Sequence, residues 1–99
     1  MPSLFVIQGR DQGTRFRLDD SVTIGRGTSN AVQLHDTEVS RDHAEIVYNG
    51  EKCSIRDLGS SNGTFVNGRQ IRECELASGD QLQVGRTLLL SAGVTEDVG

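Results

Sequence analysis

The sequence predicts an all-β sandwich or barrel. About ten short runs of β-type residues follow one another, each a few residues long. Twelve glycines against one proline cut the chain at close intervals, which suits tight turns better than helices. No longer segment carries the apolar period of an amphipathic helix.

The runs can be justified in order. Leu4-Phe5-Val6-Ile7 reads as a strand ended by Gly9. Thr14 to Leu18 alternates, with Phe16 and Leu18 on one side and Arg15 and Arg17 on the other. Val22-Thr23-Ile24 and Val32 to Leu34 are short candidates. His43 to Tyr48 places Ala44, Ile46 and Tyr48 on one face and Glu45 and Val47 on the other. Asn49-Gly50 separates it from Cys53 to Asp57, where Cys53 and Ile55 share a side. Two β-runs around Asn-Gly predict a hairpin with a tight type I′ turn, whose central residues both need φ > 0. Phe65-Val66 precedes a second Asn-Gly pair, Asn67-Gly68. Gln70 to Arg72, Leu82 to Val84 and Thr87 to Leu90 complete the set, with Gly79-Asp80 and Gly85 as separators.

Ninety-nine residues, 34% of them hydrophobic, suffice for one small domain. Residues 1–92 are expected to form it, and 93–99 to be a flexible tail or the start of a linker to a further domain. No apolar run approaches the length of a membrane span. The N-terminus lacks the basic region and cleavage site of a signal peptide, so a cytoplasmic location is expected. A net charge of −4 disfavours nucleic acid and anionic membranes as partners. Nine of the ten basic residues are Arg, with Lys52 the exception. Arg forks suit oxyanions, but codon use in a GC-rich genome produces the same bias. Cys53 and Cys74 stand alone, without metal-ligand spacing, and are read as reduced, buried thiols. Neither a metal nor a cofactor is expected.

Four constellations remain: Ile24-Gly25-Arg26-Gly27, Ser40-Arg41-Asp42-His43, Ser60-Ser61-Asn62-Gly63-Thr64 and Asn67-Gly68. Gly25-x-Gly27-x-x-Asn30 is an incomplete dinucleotide fingerprint with no helix after it to receive a pyrophosphate. Ser40 and His43 could be a nucleophile and its base, yet no nucleophile elbow surrounds Ser40. Binding a phosphate outside a helix terminus takes an Arg fork, a hydroxyl and backbone N–H groups. Arg26 in a glycine-flanked turn, Ser40 with Arg41 beside it, and Ser61 with Asn62 supply those groups. Each motif alone also reads as ordinary turn chemistry. In a sandwich, loops gather at the ends, so separated motifs can converge.

In this order and spacing the motifs resemble the forkhead-associated (FHA) domain. The match runs through Gly25-Arg26, Ser40-x-x-His43 and Asp57-x-x-Ser60-x-Asn62-Gly63-Thr64-x-x-Asn67-Gly68, and extends by strand pattern to about 4–92. The resemblance implies an eleven-stranded β-sandwich of the FHA/SMAD-like kind with its binding loops at one end. It implies a monomeric, non-catalytic module that binds a phosphothreonine-containing protein or peptide in a Ser/Thr kinase pathway. Arg26 and Ser40 match the residues that contact phosphate, and Arg41 a variable further donor. Asn62 matches the residue that holds the peptide main chain, with Ser61 beside it. Gly25, His43, Gly63, Thr64, Asn67 and Gly68 match structural positions of the binding loops. Glu38 lies in the loop that helps to choose residues after the phosphothreonine, where an acid argues against an acidic residue three positions on. Two other readings are a phosphate-independent interaction or intramolecular docking domain of the same fold, and a small hydrolase using Ser40 and His43.

Overall fold

The computed structural model describes residues 2–93; of the tail expected over 93–99, all but Gly93 lies outside the described residues. Eleven strands form, with no helix among the described residues. They are β1 (Ser3–Gln8), β2 (Arg15–Arg17), β3 (Val22–Gly25), β4 (Val32–Gln33), β5 (Ala44–Tyr48) and β6 (Cys53–Asp57). After these come β7 (Thr64–Val66), β8 (Arg69–Ile71), β9 (Glu73–Leu76), β10 (Gln81–Val84) and β11 (Thr87–Ala92). One sheet has the order β2-β1-β11-β10-β7-β8, the other β4-β3-β5-β6-β9. All neighbours are antiparallel except β3 and β4.

The alternation read from the sequence sets which side chains enter the core. Leu4 and Val6 from β1 and Leu82 and Val84 from β10 meet Ile46 and Ile55 from the opposite sheet, all buried. Val47 points outward and is 40% exposed. Each sheet thus buries one apolar face against the other, the packing that makes a two-layer sandwich. Cys53 lies in this core, and burial pushes its thiol up to about 11, too high for a reactive thiolate near neutrality. Cys74 is also a free thiol but only half-buried, not buried as expected.

Two turns differ from expectation. The β5–β6 hairpin exists, but its loop is not the type I′ turn predicted at Asn49-Gly50. Tyr48 pairs with Cys53 across four loop residues, 49–52. The Asn49 side chain accepts the backbone N–H groups of Glu51 and Lys52, at 3.0 and 2.8 Å, so its polar tip builds the turn. The left-handed pair occurs instead at Asn67 (φ 51°) and Gly68 (φ 81°), which close β7 onto β8 between Val66 and Arg69. The chain then crosses to the other sheet at Arg72, and Glu73–Leu76 forms a strand that the run-by-run reading did not separate.

Candidate functional site

The β3–β4, β4–β5 and β6–β7 loops meet at one end of the sandwich, and residues 38–41 are what they meet on. The Arg26 and Gly27 N–H groups donate to the Ser40 and Arg41 carbonyls at 3.0 and 3.1 Å. The Arg26 Nε–H donates to the Val39 carbonyl at 3.1 Å. From the third loop, the Ser61 N–H donates to Ser40 Oγ at 3.1 Å and Asn62 Nδ2 to the Glu38 carbonyl at 2.7 Å. Arg26, Ser40, Arg41, Ser61 and Asn62 are therefore brought together from three loops. All but half-buried Ser40 are exposed. Among the described residues no carboxylate pairs with Arg26 or Arg41, whereas Glu38 is turned toward Arg86 at 3.7 Å.

Beneath these groups lies a buried frame. His43 is fully buried. Its Nδ1 accepts the Ser40 N–H at 3.0 Å, which places the ring proton on Nε2, donating to the Gly63 carbonyl at 2.8 Å. One ring thus spans the β4–β5 and β6–β7 loops. Both ring nitrogens are occupied and neither reaches Ser40 Oγ, so the nucleophile-and-base arrangement of the hydrolase reading is not formed.

Asp57 knots the third loop. Its carboxylate accepts the Gly59 and Ser60 N–H groups at 3.0 and 3.1 Å, the Ser60 hydroxyl at 2.6 Å and the buried Thr64 hydroxyl at 2.7 Å. Ser60 Oγ in turn accepts the Gly63 N–H at 2.9 Å. With Ser60 turned inward, Ser61 and Asn62 face out. Asp36 plays the same part beneath the β4–β5 loop. It accepts the Glu38 and Arg86 N–H groups at 2.9 and 2.8 Å and the Thr87 hydroxyl at 2.8 Å.

Burial pushes both carboxyls up, but the hydrogen bonds from Glu38, Thr87 and Arg86 to Asp36, and from Ser60, Thr64 and Gly59 to Asp57, outweigh it. Both sit below the ordinary aspartate value. The unfolded chain therefore takes up these protons first. The stabilisation is complete above the unfolded value of about 4 and is lost as pH falls through the lower folded values. Urea midpoints measured from neutral pH down to acid should fall below about pH 4, and Asp57→Asn should flatten that fall. An unchanged slope in the variant would show that Asp57 does not carry it.

Gly25 and Asn30 hold the first two loops together. A Cβ at Gly25 would land on the Arg41 carbonyl oxygen and 2.7 Å from Asn30 Nδ2. Asn30 Nδ2 donates to the Gly27 and Arg41 carbonyls at 2.9 and 2.7 Å. The sequence reading meets Asn30 only as the last position of a discarded dinucleotide fingerprint, and gives Asp57 and Ser60 no role beyond their place in a pattern. An Asn three residues after the glycine-flanked Arg26 turn was the available sequence signal, since an Asn side chain readily bonds turn backbone.

Asn67 and Gly68 correct the sequence reading. They were grouped with the binding loops but stand at the other end of β7. Thr64 pairs with Val84 beside the loops, whereas Val66 pairs with Leu82 one strand-length away. There Asn67 Oδ1 accepts the Gln81 N–H at 2.9 Å, and Nδ2 donates to Asp80 at 3.0 Å.

The fold is thus a β-sandwich that presents guanidinium groups, hydroxyls and an amide from separate loops at one end, the architecture of a loop-based binding module. Comparison with known proteins gives the particular class: the FHA domain model matches residues 22–85, and the chain belongs to the forkhead-associated domain family. It is 40% identical over 88 residues to the oxoglutarate dehydrogenase inhibitor of Corynebacterium jeikeium, a match covering 88% of this chain and 61% of that protein. It is 38% identical over 99 residues to the glycogen accumulation regulator GarA of Mycolicibacterium smegmatis, covering 97% and 63%. The chain thus spans about three fifths of the length of these curated relatives. The FhaA FHA domain, solved in complex with the intracellular domain of Rv3910, superposes with a TM-score of 0.86 at 36% identity, covering 92% of this chain and 99% of that one. An FHA domain solved in a structural and functional analysis of phosphothreonine-dependent FHA domain interactions superposes with a TM-score of 0.82 at 35% identity, covering 92% of this chain and 94% of that one.

Proposed function

We propose that Arg26, Ser40, Arg41, Ser61 and Asn62 form the cradle with which this chain, acting as a non-catalytic module, binds a phosphothreonine-containing protein. The carrying observation is the convergence of these five residues on segment 38–41, with both guanidinium groups left without a carboxylate among the described residues. A phosphate brings about −1.5 to −2 charges and three acceptor oxygens. Arg26 is held through Nε, so its two Nη groups remain to donate, and the Ser40 hydroxyl hydrogen is likewise unspent because its oxygen accepts from Ser61. Asn62 uses one Nδ2 hydrogen on Glu38, leaving a second hydrogen and Oδ1 for a peptide main chain. His43, Gly63, Thr64 and Gly25 support this arrangement from beneath, and Asn67 and Gly68 do not take part in it. The domain is taken to occupy residues 1–92, to act as a monomer in the cytoplasm, and to need neither nucleic acid, membrane nor cofactor.

Charge-assisted bonds of about 1.5–3 kcal/mol each, offset by desolvation and peptide ordering, give affinity on the order of micromolar. Titration with matched phosphothreonine and threonine peptides tests this. Binding should need the phosphate, weaken with added salt, and weaken as pH falls through about 6, where the phosphate loses its second charge. Arg26→Ala should cost roughly 10- to 100-fold in affinity while the domain stays folded, with only a small fall in unfolding midpoint from the lost Nε–Val39 carbonyl bond. Equal affinity for the two peptides would reject phosphate reading. Normal binding by Arg26→Ala would reject the assigned site.

A further inference from the structure

The six-stranded sheet has an outer face as well as a core face, and on the adjacent strands β1 and β11 that outer face carries an apolar cluster. Across four strands the register runs Arg15–Phe5–Leu90–Gln81, and beside it Leu88–Gln83–Phe65–Gln70. Phe5 is 37% exposed and Ile7 39%, while Leu88, Leu90 and Phe65 are half-buried. Phe5, Ile7, Leu88 and Leu90 thus lie together on two strands about 4.8 Å apart, bordered by Arg15 on one side and by Gln81 and Gln83 on the other. Contiguous apolar patches on a small domain's surface mark contact sites more often than scattered exposed residues do.

The charge around the patch is one-sided. The chain has 14 acidic residues, yet none lies in any strand of this sheet, which carries Arg15, Arg17 and Arg69. The strands of the other sheet hold Glu45, Asp57, Glu73 and Glu75 against one cation, Arg56, which pairs with Glu45 at 2.8 Å. Arg17 faces Asp19 at 3.7 Å, just beyond β2. Arg15 is anchored to Ser3 Oγ at 3.3 Å, lies 5.6 Å from the Phe5 ring centre, and has no carboxylate partner among the described residues. An aromatic ring capped by an anchored, unneutralised guanidinium suits an apolar surface with a carboxylate at its edge.

We propose that the outer face of the six-stranded sheet, centred on Phe5, Leu88 and Leu90 with Arg15 at its margin, docks a partner protein whose contact patch is apolar and acidic. A second copy of this chain fits less well. Two-fold pairing of the face on itself brings Arg15 no strand carboxylate from the copy, since none lies in any strand of this sheet. Pairing it with the acidic outer face of the other sheet is head-to-tail and does not close. The surface is separate from the cradle and does not rest on the phosphothreonine reading.

The test uses two amphipathic helical peptides with one shared leucine and phenylalanine stripe, flanked by Glu in one and by Lys in the other. Titrated into the isotope-labelled chain, the Glu peptide should shift the amides of Phe5, Ile7, Leu88 and Leu90 and leave those of Arg26, Ser40 and Asn62 in place. The Lys peptide should bind roughly tenfold more weakly or worse. The double variant Phe5→Thr with Leu90→Thr, β-branched at outward-facing strand positions, should lose the Glu peptide and keep its cooperative unfolding transition. Equal binding of the two peptides, shifts confined to another surface, or undiminished binding by the folded variant would overturn the proposal. So would sedimentation showing a dimer that the double variant abolishes, since the face would then belong to a second copy.

Discussion

Replacing Gly25 with alanine should separate the first two loops and abolish ligand binding. The reason is contact, not backbone conformation. At this position β3 passes so close to the β4–β5 loop that a methyl group would occupy the place of the Arg41 carbonyl oxygen. That carbonyl cannot swing away freely, because it accepts both the Gly27 N–H and Asn30 Nδ2. Something must shift: β3, whose Gly25 carbonyl accepts the Leu34 N–H, or segment 38–41, which the other loops share. Overpacking a buried site costs about 1–3 kcal/mol, and more where the obstruction is backbone. Against a total stability of roughly 5–15 kcal/mol, a loss of about 3 kcal/mol or more is expected. Urea unfolding of Gly25→Ala should show it, together with loss of phosphothreonine-peptide binding in the fraction that remains folded. A midpoint within experimental error of the parent would mean that the loops part without cost.

Asp57→Ala should be nearly as damaging, by subtraction. Four donors lose their acceptor: the Gly59 and Ser60 N–H groups and the Ser60 and Thr64 hydroxyls. Gly59 is exposed and can turn to water, but Thr64 is fully buried. Each donor stranded away from water costs about 1–3 kcal/mol, so a total near 3 kcal/mol is expected. Ser60 then no longer faces inward, Gly63 loses its tie to Ser60 Oγ, and Asn62 is no longer aimed. Affinity should fall more than the loss of folded population explains. Asp57→Asn separates the two effects. Its oxygen still accepts the hydroxyls, while its amide group confronts the Gly59 and Ser60 N–H groups, so it should lie between parent and alanine. Calorimetric titration beside urea unfolding measures both. Wild-type affinity in folded Asp57→Ala would show that the loop positions Asn62 without the carboxylate.

Much of the fold was legible because strand alternation and burial express the same constraint. Ala44, Ile46, Cys53 and Ile55 could be assigned to the core from their spacing alone. Turn geometry was harder. Asn49-Gly50 and Asn67-Gly68 are the same dipeptide, but only the second adopts two consecutive left-handed residues. What separates them is tertiary: the Asn67 side chain is engaged by Gln81 and Asp80, whereas that of Asn49 folds back on its own loop. The strand Glu73–Leu76 was hidden because only Arg72 divides it from Ile71. A change of sheet leaves no mark in a pattern that alternates on both sides. The exposed members of the cradle came from motif spacing, and the parts missed lie beneath them. Asn30 acts through carbonyls of residues 27 and 41, a relation between two loops that no local pattern encodes.

The placement of β11 between β1 and β10 has a consequence for how the chain reaches this structure. Leu4 pairs with Ser91 and Val6 with Leu89, so the first strand finds its central partner in the last. Loop-closure entropy makes such distant pairings slow to form, and all-β sandwiches fold on the order of milliseconds to seconds. During synthesis, the N-terminal strand emerges from the ribosome long before its neighbour exists. Until Leu88–Ala92 is released, the half-made six-stranded sheet keeps an open edge on which unrelated chains can pair, so the domain closes only once its last strand is free of the ribosome.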